Sequence, residues 1–331
     1  MSDFFVKGSK VSTGKAAANA DQLEADAILN GTVSLSGCLT DDTIAFDNLA
    51  EEYDAATNPV GNAGWAEDDG ARETAIADTI VEIERRRTLL GALYPFELSG
   101  NTHSFSYVPA QSLSGVYEFC LAFAVTQHKL KANPACRAVR EFERLVGRLL
   151  KAFLHSESAE FYRSGAPPDG DRPTTIPGML NDLHVKTNGE WEFSPRVGGA
   201  AQSPQGDDGI DVIVWKRFGD TDRRLGKPFF LVQCACGDDW YGKRRDLDPV
   251  GFETKWSGRI SFARALSRCL ATPRHVPHEA VWLEGTSDGG ILLDRVRLSW
   301  MAETCLTEGD RTSCKARLTQ HTASLNKRPE V

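Results

Sequence analysis

Two stretches decide the fold class of this 331-residue chain: DDGIDVIVWKRF (207–218) and PFFLVQCAC (228–236). In the first, Ile210, Val212 and Val214 alternate with Asp211, Ile213 and Trp215 in a β-branched run, the pattern of a strand. The second is a short, continuous apolar run that suits a buried strand and, taken alone, fits a buried helix equally well. GDTDRRLGK (219–227) between them is rich in turn residues, so the pair reads as a hairpin. Neighbouring strands lie about 4.8 Å apart. An Asp opening one and a Gln near the end of the other are therefore brought within reach of a common ligand.

Upstream, ACRAVREFERLVGRLLKAFLH (135–155) is strongly amphipathic. Val139, Phe142, Leu145, Val146, Leu149, Leu150 and Phe153 share one face, and Glu141 and Glu143 lie on its two flanks. A Gly/Pro-rich insertion (165–178), an expected strand over 182–193 and a loop over 195–209 separate this helix from Asp211. Further upstream, the spacing predicts helices over 41–56, over 71–90 with Arg85, Arg86 and Arg87 near its C-terminus, and over 112–131. Residues 58–70 read as loop. Residues 1–35, rich in Ala, Ser, Gly and Asn, are expected to be loosely held. Downstream, the segment after Gly237 carries Trp240, Lys243 and Trp256 and is expected to start a helix or lid. EAVWLE (279–284) and GILLDRVRLSW (290–300) read as later strands, or as a strand and a helix.

Composition limits the function classes. No apolar run of about 18 residues predicts a membrane span, and the N-terminus lacks the apolar stretch of a secretory signal. Eight scattered cysteines, with no CxxC pair, fit reduced buried thiols in a cytoplasmic protein. The net charge of −8 is unevenly spread: residues 1–100 carry 18 acidic and 7 basic side chains, and the remainder is mildly basic. That asymmetry is compatible with phosphate contact in the C-terminal part.

A flank Glu on a helix, an Asp opening a strand and a Gln on the next strand form a set of oxygen donors for a hard cation such as Mg²⁺ or Mn²⁺. Metal-dependent phosphodiester hydrolysis needs such a set. The arrangement resembles the PD-(D/E)xK nuclease superfamily, its Mrr-like restriction endonucleases in particular. The helix pattern F-E-x-x-V-x-x-L-L is matched by Phe142-Glu143-Arg144-Leu145-Val146-Gly147-Arg148-Leu149-Leu150, and the D-G-G-I-D stretch and the Q-x-K strand end are matched in part by Asp207-Asp208-Gly209-Ile210-Asp211 and Gln233-Cys234-Ala235. The likeness covers roughly 136–240. QCACGDDWYGK and ILLDRVRL more loosely resemble stretches of bacterial nuclease-like proteins associated with phage defence. The resemblance implies an α/β, restriction-endonuclease-like mixed central sheet flanked by helices. It makes Asp211 the metal-binding Asp, Gln233 the replacement for the second acidic ligand and Glu143 the helix-borne Glu; beside Gln233, the Cys234 backbone carbonyl is a further candidate metal contact.

The departure is at Ala235, which stands where the family has its lysine. Lys243, Lys216 and Lys227 are the substitutes. Lys243 is preferred because it can reach back over the strand end; Lys216 is an odd number of residues from Asp211 and faces away, and Lys227 falls in the turn. The resulting expectation is a DNA endonuclease of a bacterial restriction or antiphage system. The alternative is a catalytically inactive nuclease-fold subunit that binds nucleic acid or scaffolds a defence complex. The expected division is a loose N-terminus (1–35), an acidic helical regulatory or partner-docking region (36–131) that binds a protein partner or a second copy, a nuclease-like domain (132–316) and a polar tail (317–331).

Other residues have a bland reading beside a sharp one. Cys234 and Cys236 face away from Gln233, into packing rather than onto a metal. Glu141 and the loop residues Asp207 and Asp208 read as solvated. Arg85–Arg87 complement the helix dipole more simply than they bind phosphate. His275 and His278 read as structural, and Trp240 and Trp256 read as packing before base stacking.

Overall fold

The computed structural model describes residues 14–35, 64–99, 104–125, 133–155, 157–165, 170, 172–173, 175–191, 209–219, 226–237, 239–256 and 266–326. The helix expected over 41–56 lies outside them. The fold is mixed α/β and is built on two sheets.

The larger sheet has five strands in sequential order: β4 (Ala159–Arg163), β5 (Val212–Lys216), β6 (Phe229–Cys234), β7 (Ser267–Ala271) and β8 (Ile291–Leu293). β4, β5 and β6 are antiparallel neighbours, and β6, β7 and β8 run parallel. The expected hairpin is present, with Val212 opposite Val232 and Trp215 opposite Phe229. β4 and β7 carry no strong alternation and are found only in the structure.

The two faces of this sheet follow the alternation of β5 and β6. Val212, Val214, Val232 and Cys234 turn toward Phe142, Leu145, Val146 and Leu149 of the amphipathic helix Asn133–Phe153. Ile213, Trp215, Phe229 and Leu231 turn the other way. They pack on Ile176, Met179, Leu180 and Leu183 of the helix Ile176–Lys186 and on Phe252 and Trp256 of the helix Pro249–Trp256. Buried on both faces, β6 needs no polar alternation, which is why its sequence is a continuous apolar run.

The helices, in chain order, are α1 (Gly14–Asn30), α2 (Gly64–Leu90), α3 (Val116–Val125), α4 (Asn133–Phe153), α5 (Ile176–Lys186), α6 (Pro249–Trp256), α7 (Glu279–Gly289), α8 (Arg295–Cys305) and α9 (Glu308–Asn326). A second, three-stranded antiparallel sheet has the order β1 (Thr32–Ser34), β3 (Ser104–Tyr107), β2 (Phe96–Ser99). Phe96 and Phe105 stack across it, with ring centroids 5.1 Å apart. Together with α1 and α2 it closes a separate core around Leu23, Ile83, Tyr94 and Tyr117.

Several expectations are corrected. Of the strand expected over 182–193, residues 182–186 end a helix and 187–191 turn away from it, because the governing period starts earlier. Ile176, Met179, Leu180 and Leu183 form an i, i+3, i+4, i+7 face, and the Thr175 side chain caps it by accepting from Gly178 N at 3.2 Å. EAVWLE is the first half of α7, whereas GILLDRVRLSW is a strand followed by a helix. α2 begins at Gly64, inside the expected loop. Residues 1–35 include α1, whose Ala20, Leu23 and Ala27 are buried, and most of the polar tail belongs to α9, where Leu318 is buried.

The boundary expected at 131/132 does not separate two cores. α3 sends Phe119, Cys120 and Phe123 into the core of the large sheet, and Tyr117 and Leu121 into the N-terminal core. A helix shared by two cores is apolar all round.

Candidate functional site

Asp211 sits where β5 leaves the ladder. Gly209, two residues earlier, has φ +80°, a conformation that a side chain disfavours, and an added Cβ there would meet the Asp246 carbonyl at 3.2 Å. The Asp211 N–H donates to the Val232 carbonyl at 2.9 Å, and its own carbonyl accepts from Ser164 N and Gly165 N at 2.7 and 3.1 Å. Its carboxylate Oδ2 accepts from the backbone N–H of Cys234 at 2.7 Å. The side chain thus takes the place of a ladder carbonyl at the point where the strands part. Asp211 is half-buried.

Gln233 is on β6, one step beyond the Val212–Val232 pair, which puts it opposite position 211. Its neighbours Val232 and Cys234 face α4, so by alternation Gln233 faces the α5–α6 side. Gln233 is 6% exposed, and its Oε1 is a buried acceptor without a hydrogen-bond partner among the described residues. A buried amide oxygen left so costs about 1–3 kcal/mol.

Glu143 projects from α4 and is buried against Arg163 at the end of β4, whose Nε donates to Glu143 Oε2. Gly165 makes room for it: a Cβ at that position would lie 2.7 Å from Glu143 Oε2. In the β4–β5 register Arg163 stands opposite Val212, next to Asp211.

Two thiols show how these charges gather. Burial pushes Cys234 well above the usual thiol range, Asp211 and Glu143 push it further, and Arg163 opposes them. Burial likewise raises Cys236, Glu143 and Asp211 add to it, and Lys243 opposes. The segment 234–236 therefore lies in the field of Asp211, Glu143, Arg163 and Lys243 together. Arg163 is the member the sequence reading missed: it ends a strand with no strong pattern, in a stretch without a motif.

The alternative lysines have other partners. Lys216 Nζ donates to the Leu154 carbonyl at 3.3 Å, and buried Lys227 pairs with Glu190 at 3.3 Å. Lys243 lies on the 3-10 turn Gly242–Arg245 and is half-buried. Ala235, at the position of the family lysine, is fully buried with Trp240 and Leu270. Asp207 and Asp208 lie outside the described residues.

The remaining sequence candidates have structural places. Cys234 and Cys236 are free thiols buried on the α4 side of the sheet. Trp240 and Trp256 are buried in packing. Arg86 is wholly buried, bonded to Asp21 at 2.8 Å, Glu24 at 2.9 Å and Glu82 at 2.8 Å. His275 is buried between Asp294 at 3.0 Å and Glu82 at 3.1 Å. Arg295 closes this network by bonding Asp21. Among the described residues no three His, Cys, Asp or Glu side chains cluster as a metal site, and no helix is long and apolar enough to cross a membrane.

No family model matches the chain, and comparison with curated proteins and with solved structures gives no match.

Proposed function

We propose that the chain is a metal-dependent nuclease of the PD-(D/E)xK type, acting on DNA in a bacterial restriction or antiphage role. In this reading the five-stranded sheet and its flanking helices form a restriction-endonuclease-like core. The observation that carries it is the juxtaposition of Asp211, where β5 and β6 part, with Gln233, whose buried Oε1 lacks a partner. A cation is one group that can satisfy such an oxygen, and the neighbouring Asp211 carboxylate supplies a second ligand for it.

The oxygens that would hold a hard divalent ion such as Mg²⁺ or Mn²⁺ are the Asp211 carboxylate, the Gln233 amide oxygen and the Cys234 backbone carbonyl; Glu143, on the opposite, α4 face of the sheet, would join them only around the strand end. When bound, such an ion lowers the pKa of water and offsets charge on the phosphoryl oxygens. The chain's own residues supply the rest. The Cys234 N–H fixes the rotamer of Asp211. Arg163 holds Glu143 in place. Lys243 provides the positive charge that the missing lysine would have placed against the developing phosphorane. The location is cytoplasmic, and the acidic N-terminal part is a regulatory or partner-docking element that engages a protein partner or a second copy.

The test is cleavage of supercoiled plasmid with Mg²⁺ or Mn²⁺, comparing the parent with Asp211→Asn. Nicking by the parent that the variant lacks supports the reading. Equal nicking by both removes Asp211 from the chemistry.

Two observations favour a second reading, a catalytically inactive nuclease fold. Ala235 is sealed in apolar packing and Glu143 is committed to Arg163. DNA binding without cleavage under any divalent ion selects that reading.

A further inference from the structure

Helix α4 carries a second feature on the face turned away from the core. Arg137, Arg140, Arg144, Arg148 and Lys151 fall within a band about 100° wide and about 21 Å long. Glu141 lies at the edge of this band. It is 3% exposed and accepts from three guanidinium groups: Arg144 at 3.2 Å, Arg148 at 2.8 Å, and Arg317 reaching across from α9. One buried carboxylate thus touches three guanidinium groups. The three arginine side chains remain about one-third exposed, at 30%, 35% and 32%.

His321 on α9 is drawn into the same patch. Burial lowers its pKa, Glu141 raises it, and Arg144, Arg317 and Arg137 lower it again. Among the described residues, no carboxylate pairs with Arg137, Arg140 or Lys151. In a chain of net charge −8, five basic side chains on one helix face, three of them without a carboxylate among the described residues, form a concentrated positive band.

We infer that the α4–α9 arginine surface docks the phosphate backbone of a nucleic-acid duplex. Guanidinium groups held in a fixed fork have lost the rotamer entropy that binding would otherwise cost, and their planar donors match phosphate oxygens. The elongated band suits a linear polyanion better than a single phosphate. A membrane surface is disfavoured because the apolar face of α4 is spent in the core. The choice of nucleic acid over another polyanion rests on the nuclease reading.

The test is fluorescence anisotropy of a labelled duplex of about three helical turns in buffer with EDTA, so that no cleavage intervenes. Two double variants are compared with the parent. Arg144→Ala/Arg148→Ala strips partners from Glu141. Arg140→Glu/Lys151→Glu leaves that cluster whole and guards against loss of fold, which thermal melting checks. Each folded variant is expected to bind about tenfold or more weakly, with a slope of log affinity against log salt shallower by about two. Equal binding by parent and Arg140→Glu/Lys151→Glu overturns the surface. So does no binding by the parent at low salt, or equal competition by polyglutamate of matched charge. A parent that binds through this surface but never nicks plasmid leaves the docking surface standing and ends the nuclease reading. A parent that nicks plasmid while the variants bind as it does ends only the surface.

Discussion

The Asp211 carboxylate and the Cys234 backbone N–H are joined by a 2.7 Å hydrogen bond across the point where β5 and β6 separate. The residue proposed to hold the metal is therefore also part of the sheet's hydrogen-bond accounting. This double role separates two substitutions that are usually treated as equivalent. Asp211→Asn keeps an oxygen for the Cys234 N–H, whereas Asp211→Ala leaves that N–H without an acceptor. The Asn variant is expected to lose cleavage while staying within about 1 kcal/mol of the parent. The Ala variant is expected to lose cleavage and an additional 1–3 kcal/mol or so. Urea denaturation beside the plasmid assay reads both; equal stability of the two variants would show that the bond contributes nothing.

Glu143 and Arg163 are buried together, with side chains 6% and 3% exposed. Removing either partner strands a charge in the interior. Glu143→Gln and Arg163→Met are each expected to cost about 3–5 kcal/mol, and the double variant less than the sum of the two. A double-mutant cycle measured by denaturation checks this. Simple additivity would mean that the two groups do not act as a pair.

How far the sequence reveals this site depends on which signal each residue carries. β5 and β6 were legible because Ile210 to Trp215 alternate and Phe229 to Cys234 are apolar throughout, and α4 was legible because its cations and its apolar residues occupy opposite faces. Asp211, Gln233 and Glu143 were named from those elements. Arg163 was not, since AEFYR lacks a clear period. α1 was missed because its face is built of Ala20, Leu23 and Ala27, and because Asp21 and Glu24 mimic a solvated surface. They are in fact buried against Arg86 and Arg295, partners distant in sequence. Charges that meet only in the fold leave no local pattern to read.

That same network gives the molecule an acid-sensitive joint. Burial alone would raise the carboxyls of Asp21, Glu82 and Asp294. Arg295 and Arg86 beside Asp21, His275 and Arg86 beside Glu82, and His275 beside Asp294 hold all three below their ordinary values instead. Groups depressed in the fold stabilise it above their unfolded pKa, about 4, and that stability is lost as pH falls below it. Glu118, raised chiefly by burial, acts in the opposite sense and softens the effect. Asp294 also accepts from Arg297 N at 3.0 Å, capping α8, and from Val276 N at 3.2 Å. Asp294→Asn is expected to cost about 1–3 kcal/mol at neutral pH. The gap between parent and variant should shrink as pH falls below about 4, where the carboxyl of the unfolded parent takes up its proton before that of the folded protein does. Denaturation series at several pH values read this. A gap that stays constant into acid would place the cost of the variant in shape rather than in charge.

Gln233 offers the sharpest separation of function from stability. Its Oε1 is buried and unpartnered, so the folded protein carries a desolvation cost of about 1–3 kcal/mol with nothing returned. A polar group retained at such a cost in the apolar run Phe229–Cys234 is explained if a ligand satisfies it. Gln233→Leu conserves much of the volume and removes the orphaned acceptor. The variant is expected to melt at or above the parent's temperature in metal-free buffer, and to lose cleavage. It should also lose any rise in melting temperature that Mg²⁺ or Mn²⁺ gives the parent, since an ion that binds only the folded state stabilises it by mass action. A Leu variant that melts well below the parent without metal would mean that the amide already has a protein partner, and Gln233 would then be structural.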